Sequence, residues 1–259
     1  MTTLAPIDII RYHEEDSYFC EQIIEIDDRN GNPIQFIYNP AQEILHDNLS
    51  GRDLVIKAGQ LGITTFFLAR AFKKTMTKPN TNAVIVAHEE FLTTKLLSRV
   101  QTWYDRIPDP LNTNMGPLTK PSQSYKGANQ KYFPEINSSF YIGTARAYVF
   151  GRGDPIHYFI GSEVAFWPDP WKILTPTMQR VPLEGEMVLE STPNGAGYNA
   201  FYQLITEALD GTGIWKLHQL TWWNEPMYRI SKGSDFALEK DKGSLSFTEE
   251  EKNLIQLAG

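Results

Sequence analysis

The sequence predicts an α/β fold in which helices cover both faces of a mainly parallel β-sheet. Apolar runs of strand length alternate with amphipathic helix patterns along the 259 residues. Three short motifs, beginning at Lys57, Phe159 and Ser191, each follow one of these apolar runs. Strands separated by helices favour a parallel sheet whose apolar faces are both covered.

The elements are expected in the following order. Residues 1–39 form an acidic lead-in with a hairpin turn at Asp28–Gly31. We expect strands at Asp53–Ile56, Ala83–Ala87, Ser139–Gly143, Ile156–Ile160, Met187–Leu189 and Trp215–Leu220, and helices at Thr64–Thr77 and Glu90–Tyr104. The chain then divides into the lead-in at 1–50, a core at 51–230 and a C-terminal segment at 231–259.

The first motif, Lys-Ala-Gly-Gln-Leu-Gly-Ile-Thr-Thr, has the features of a phosphate-binding loop. Such a loop needs a tight turn, inward N–H groups, a cation and a hydroxyl for magnesium. Gly62 permits close backbone approach, and Thr64 stands where the magnesium-binding hydroxyl belongs. The lysine is displaced, because Lys57 takes the place of the first glycine and Ile63 the usual lysine position. The predicted nucleotide-binding residues are Lys57, Ala58, Gly59, Gln60, Leu61, Gly62, Ile63, Thr64 and Thr65.

The second motif supplies a candidate general base. Phosphate-loop enzymes place an aspartate at the end of a later strand, where it holds magnesium through water, and follow it with a glutamate that activates the attacking water. Here Ser162 occupies the aspartate position, and its hydroxyl can hold a magnesium-bound water without adding charge. Glu163 follows, at a strand end from which it can orient water towards a γ-phosphate.

Together these motifs resemble the ATPase domain of the large, motor subunit of tailed-bacteriophage DNA-packaging terminases. The resemblance rests on the displaced lysine at Lys57, on Ser162–Pro168, on Ser191–Gly195 followed by Phe201-Tyr202, and on further matches at Asn39-Pro40-x-Gln42, Trp222-Trp223 and Thr248–Glu251. It implies a three-layer P-loop NTPase fold of the RecA/ASCE-like kind.

The resemblance also implies roles for individual residues. Gln42, in the lead-in, contacts adenine, and Ser191, Thr192, Asn194 and Gly195 couple hydrolysis to motion. Many relatives carry an arginine at the position of Gly59, so a phosphate-facing cation is missing from this loop. The expected arginine finger, which acts on a neighbouring subunit, is Arg152, with Arg146 as the alternative.

The function implied is ATP hydrolysis with Mg²⁺, coupled to translocation of double-stranded viral DNA into procapsids. The implied partners are the portal protein, the small terminase subunit and further copies in a ring, and the implied location is the host cytoplasm and transiently the portal. Relatives continue into a nuclease domain, and no nuclease activity is expected from this chain. Two alternatives are a helicase-like ATPase and, given Ser162 and Gly59, a nucleotide-binding module that has lost hydrolysis.

Charge and composition bound the remaining possibilities. The net charge of −7 argues against a protein that coats nucleic acid through bulk positive charge. Basic residues exceed acidic ones between Leu54 and Phe150, where Lys73, Lys74 and Lys78 are expected at a solvated helix end. The polar stretch that contains Lys120, Lys126 and Lys131 is the candidate DNA contact. The single cysteine, Cys20, excludes an internal disulfide.

Overall fold

The computed structural model describes residues 5–28, 30–147, 154–195 and 199–222. The helices in these ranges are α1 Ile9–Glu14, α2 Asp16–Ile23, α3 Pro40–Asn48, α4 Ile63–Thr77, α5 Glu90–Arg106, α6 Pro170–Met178 and α7 Ala200–Leu209. The strands are β1 Glu25–Asp27, β2 Pro33–Gln35, β3 Arg52–Lys57, β4 Asn82–Ala87, β5 Leu111–Thr113, β6 Gly116–Leu118, β7 Ser124–Gly127, β8 Gln130–Phe133, β9 Ser138–Thr144, β10 Tyr158–Ser162, β11 Glu186–Ser191 and β12 Lys216–Leu220. No helix among the described residues is long and apolar enough to cross a bilayer.

The central sheet has eight strands in the order β12-β3-β11-β10-β4-β9-β8-β7. Every pairing from β12 to β9 is parallel, and β8 and β7 add an antiparallel hairpin at one edge. The predicted α/β fold with a mainly parallel sheet is therefore confirmed. The order has one consequence for the site, since β11 lies between β3, which leads into the phosphate loop, and β10, which leads to Glu163.

The sheet is buried on both faces because its strands are apolar at successive positions. Val55 of β3 packs with α2, α3, α4 and α5 on one face, whereas Leu54 points to the opposite core, which contains side chains of α6 and α7. The same alternation occurs at Ile160 and Phe159 of β10. Such strands end at a common edge, where the loops that follow them are free to form a site.

The lead-in is more ordered than its sequence suggested. It contains α1 and α2, and the predicted turn after Asp28 joins the antiparallel strands β1 and β2. Helix α3 begins with a capping box, in which Asn39 accepts from the Gln42 backbone while the Gln42 side chain accepts from the Asn39 backbone. Pro40 at the first helical position fits this start.

The expectation of a solvated basic end on α4 is wrong for two of its three lysines. Lys73 is 2% exposed and forms an ion pair with Asp16 of α2 at 2.8 Å. Lys74 is paired with Glu186 at the start of β11. Of the three, only Lys78 is exposed. The acidic partners come from distant parts of the chain, so the basic run could not be recognised as buried from its own sequence.

Candidate nucleotide-binding and catalytic site

The phosphate loop lies between β3 and α4, as predicted. Gly62 has φ +72° and caps the helix N-terminus, which begins at Ile63. A side chain at Gly62 would also meet the Gln42 amide, because an added Cβ would lie 2.7 Å from Nε2. Thr64 is thus in the first turn of α4, where backbone N–H groups and the helix dipole favour an anion.

Three charged side chains meet above the ends of β3, β10 and β11. Lys57 Nζ lies 2.9 Å from Glu163 Oε1 and 3.0 Å from Glu190 Oε2. Glu190 is completely buried, and its Oε1 accepts a 2.7 Å hydrogen bond from Thr64 Oγ1. The structure therefore brings together the predicted cation, the predicted magnesium-binding hydroxyl and the predicted base. Glu190 is an addition that the sequence analysis did not anticipate.

The segment predicted to couple hydrolysis to motion contacts the candidate base directly. Glu163 Oε2 accepts from the Thr192 backbone N–H and hydroxyl, both at 3.0 Å, and from Ser191 Oγ at 3.3 Å. Asn194 donates to the carbonyl of Ala165 at 3.0 Å, two residues beyond Glu163. A displacement of this segment would therefore reposition the carboxylate.

The turn that carries Glu163 is held tightly. Glu163 itself adopts a left-handed conformation with φ +55°, which is uncommon outside glycine and is maintained only where the surroundings fix it. Trp167, which is 4% exposed, donates from its indole to the Ser162 carbonyl at 2.9 Å. An added Cβ at Gly161 would lie 2.9 Å from Leu189 and Val164, so this strand end is closely packed. The aromatic segment thus braces the turn.

The charges of the site reinforce one another. Burial alone would raise the pKa of Glu163, but the Lys57 charge and hydrogen bonds from Lys57 and Thr192 outweigh it and lower that pKa. Burial alone would lower the pKa of Lys57, but Glu190 and Glu163 together raise it. At neutral pH the carboxylate of Glu163 is therefore ionised, as an acceptor for a proton from water must be.

Two cavities adjoin the loop. A cavity of about 720 Å³ is lined by Gln42, Gln60, Gly62, Thr65 and other residues, and a second of about 410 Å³ is lined by Thr64, Ser162, Glu163 and Thr192. Arg99 of α5 lines both and donates to Thr65 Oγ1 at 2.8 Å. Space for a base and sugar therefore lies on the Gln42 side, and space for terminal phosphates lies beside Glu163.

Gln42 and Arg99 qualify two expectations. The Gln42 side chain lies at the predicted place, but it is 2% exposed and its Nε2 donates to the Gly62 carbonyl at 3.1 Å, so in this structure it supports the loop. Arg99 places a guanidinium beside the loop from α5. Gly59 therefore does not leave the site with Lys57 as its only neighbouring cation.

The candidate DNA contacts are largely occupied within the protein. Lys131 is 4% exposed and donates to Gln101 Oε1, which argues against its prediction as a DNA-binding residue. Lys120 donates to the carbonyls of Tyr104 and Ile107 at 3.1 and 3.0 Å. The structure shows a β-hairpin over much of this stretch where a loop was expected.

Several predicted features lie outside the described residues. They are the Lys126 side chain, the expected arginine finger Arg152, Trp223 and the C-terminal segment 231–259. Arg146, the alternative finger, is exposed and lines a cavity with His88 and Phe166, two residues that also line the cavity beside Glu163.

Solved structures with a similar fold are phage large terminases. The ATPase domain of the Thermus phage P74-26 large terminase aligns with a TM-score of 0.51 and 16% identity, over 71% of this chain and 81% of that one. The HK97 bacteriophage large terminase aligns with a TM-score of 0.60 and 15% identity, over 89% and 51%. A large terminase from a thermophilic bacteriophage, in complex with ADP, aligns with a TM-score of 0.50 and 11% identity, over 78% and 48%.

These comparisons confirm the resemblance at the level of the fold. The chain has the fold of phage large-terminase ATPase domains, and it spans about half the length of the HK97 protein and of the ADP-bound terminase. No protein-family model matches the sequence, and no curated protein sequence matches it. The roles of individual residues therefore depend on the geometry of this site.

Sequence reasoning missed two residues of the site, Glu190 and Arg99. A signal for Glu190 was present, since an acidic residue ends the apolar run Met187-Val188-Leu189, where a buried strand meets the sheet edge. Arg99 gave no comparable signal, because helical periodicity does not show which solvent-side residues face a loop that lies much earlier in the chain.

Proposed function

We propose that the chain is an ATP-hydrolysing motor domain of the terminase type, which translocates double-stranded DNA into procapsids. One observation carries the proposal: Lys57, Thr64 and Glu163 converge at one sheet edge, beside a helix N-terminus and a cavity of about 410 Å³. Each provides one of the functions that phosphoryl transfer needs, namely charge, a metal-binding hydroxyl and orientation of water.

The residues present fit a nucleotide-bound Mg²⁺. Thr64 offers a hydroxyl, and Ser162 Oγ is fully buried with no hydrogen-bond partner among the described residues. Mg²⁺ prefers oxygen ligands and keeps several waters and phosphate oxygens, so it needs only a few oxygens from the protein. When bound, the ion would neutralise charge on the phosphates.

The contacts of Lys57 suggest how binding is linked to catalysis. Its ammonium group is held by Glu163 and Glu190. Phosphates entering the loop compete for this ammonium and thereby release Glu163 Oε1 to orient water, while Thr192 continues to hold Oε2. Because Thr192 belongs to the predicted coupling segment, a change at the γ-phosphate can pass through Glu163 to that segment.

The proposed partners follow from the motor function. They are viral double-stranded DNA, the portal protein, the small terminase subunit and further copies of this chain in a ring. Arg152 is proposed as the finger that acts on the neighbouring subunit. The two alternatives, a helicase-like ATPase and a module without hydrolysis, are separated from this proposal by the activity measurements below.

An equilibrium binding experiment tests the nucleotide site. Lys57→Ala is expected to weaken binding of a fluorescent ATP analogue, because the loop loses its cation, whereas Glu163→Gln is expected to bind within about threefold of the parent, because glutamate acts on water and not on the nucleotide. Lys78→Ala removes an exposed lysine beyond α4 and is the matched control. Unchanged affinity in Lys57→Ala would remove the displaced lysine from its proposed role.

A further inference from the structure

The sheet register places an acidic residue beside the position where the usual acid is missing. Ser162 at the end of β10 is paired in register with Glu190 of the neighbouring strand β11. Both side chains are completely buried. Because β11 lies between β3 and β10, a carboxylate from β11 can reach the phosphate loop as directly as one from β10.

The contacts of Glu190 are directed at the metal side of the site. Its Oε1 accepts from Thr64 Oγ1 at 2.7 Å, the hydroxyl assigned to Mg²⁺, and its Oε2 lies 3.0 Å from Lys57 Nζ. Ser162 Oγ, the neighbouring buried hydroxyl, has no hydrogen-bond partner among the described residues. A buried carboxylate is costly unless a cation compensates it.

We infer that Glu190 is the magnesium-site carboxylate of this chain, replacing the aspartate whose position Ser162 occupies. This inference rests on the proposed function. In this structure Lys57 compensates Glu190. When phosphates draw Lys57 towards the loop, the metal ion takes over that compensation, with Thr64 and the Ser162 hydroxyl completing the oxygen ligands that the protein offers. Ser162 therefore does not imply a site that has lost its metal.

The test compares the affinity for a non-hydrolysable ATP analogue with Mg²⁺ and with EDTA, and counts bound Mn²⁺ by electron paramagnetic resonance. Glu190→Gln preserves shape and removes the charge, so we expect metal affinity of the protein–nucleotide complex to fall about 10–100-fold. Affinity measured in EDTA is expected to change by less than about threefold. Glu184→Gln, on the exposed loop before β11, is the matched control.

A second variant keeps the test informative if Glu190→Gln folds poorly. Ser162→Asp combined with Glu190→Gln moves the carboxylate to the adjacent strand and is expected to restore Mg²⁺-dependent binding and Mn²⁺ stoichiometry. Full metal dependence in Glu190→Gln, or no restoration in the double variant, would overturn the inference while leaving the proposed function intact. A wild-type protein that binds no nucleotide in either condition would overturn the proposed function itself.

Discussion

Replacing Lys57 with methionine should destabilise the protein even without nucleotide. The substitution leaves Glu163 and Glu190 without the cation that lies 2.9 and 3.0 Å from them. Glu190 is fully buried and Lys57 is 7% exposed, so water has little access to compensate the carboxylates. Breaking a buried ion pair by removing one partner costs about 3–5 kcal/mol, and each kcal/mol lowers Tm by about 2–4 °C at this size, so we expect a fall of roughly 6–20 °C.

The assay is thermal unfolding followed by circular dichroism at pH 7, with Lys78→Met as the control for losing an exposed lysine. The double variant Lys57→Met with Glu190→Gln should recover about 1–3 kcal/mol, because it removes one of the uncompensated charges. A Tm within about 2 °C of the parent for Lys57→Met would refute the reasoning. So would a double variant no more stable than the single one.

Three further outcomes are expected. Arg99→Gln should weaken binding of the ATP analogue roughly tenfold or more, since a hydrogen bond to a charged group contributes about 1.5–3 kcal/mol; equal affinity would exclude Arg99 from the site. Burial alone would raise the pKa of Asp16, but Arg70 and Lys73 hold it below its ordinary value, so its stabilising contribution is complete above the unfolded-state pKa and is lost as the pH falls through the lower folded-state pKa. Urea unfolding should therefore show declining stability below about pH 4, and a stability that stays constant through that acidic range would contradict this. Finally, turnover per subunit should rise with protein concentration and Arg152→Ala should remove the rise, while mixtures of Arg152→Ala and Glu163→Gln should recover activity; an arginine finger contributes roughly a thousandfold, and a rise that persists in Arg152→Ala would exclude it.

The sheet and its flanking helices could be predicted because buried parallel strands are apolar at every position. The strand expected at Ala83–Ala87 is observed at Asn82–Ala87, and the helix expected at Thr64–Thr77 begins one residue earlier. The β7–β8 hairpin could not be recognised, since polar residues fill it. The short helices α1 and α2 lie in an acidic stretch whose buried contacts come from other elements.

The motifs predicted the composition of the site but not its full set of contacts. Lys57, Thr64 and Glu163 were recognisable because each directly follows a strand in a known pattern. Glu190 acquires its importance from the strand order, which places β11 beside both motif strands and is not evident from spacing along the chain. Lys131 was misjudged for the opposite reason, because a polar surrounding sequence does not reveal that a side chain is buried.

Release of phosphate from ATP by the pure chain tests the central claim most directly. With Mg²⁺ and ATP the parent should release phosphate, slowly as a free monomer, and Glu163→Gln should reduce the rate at least about 100-fold because the general base is removed. Glu184→Gln should match the parent. Equal turnover by Glu163→Gln and the parent, or no metal-dependent phosphate release by the parent at any protein concentration, would contradict the account.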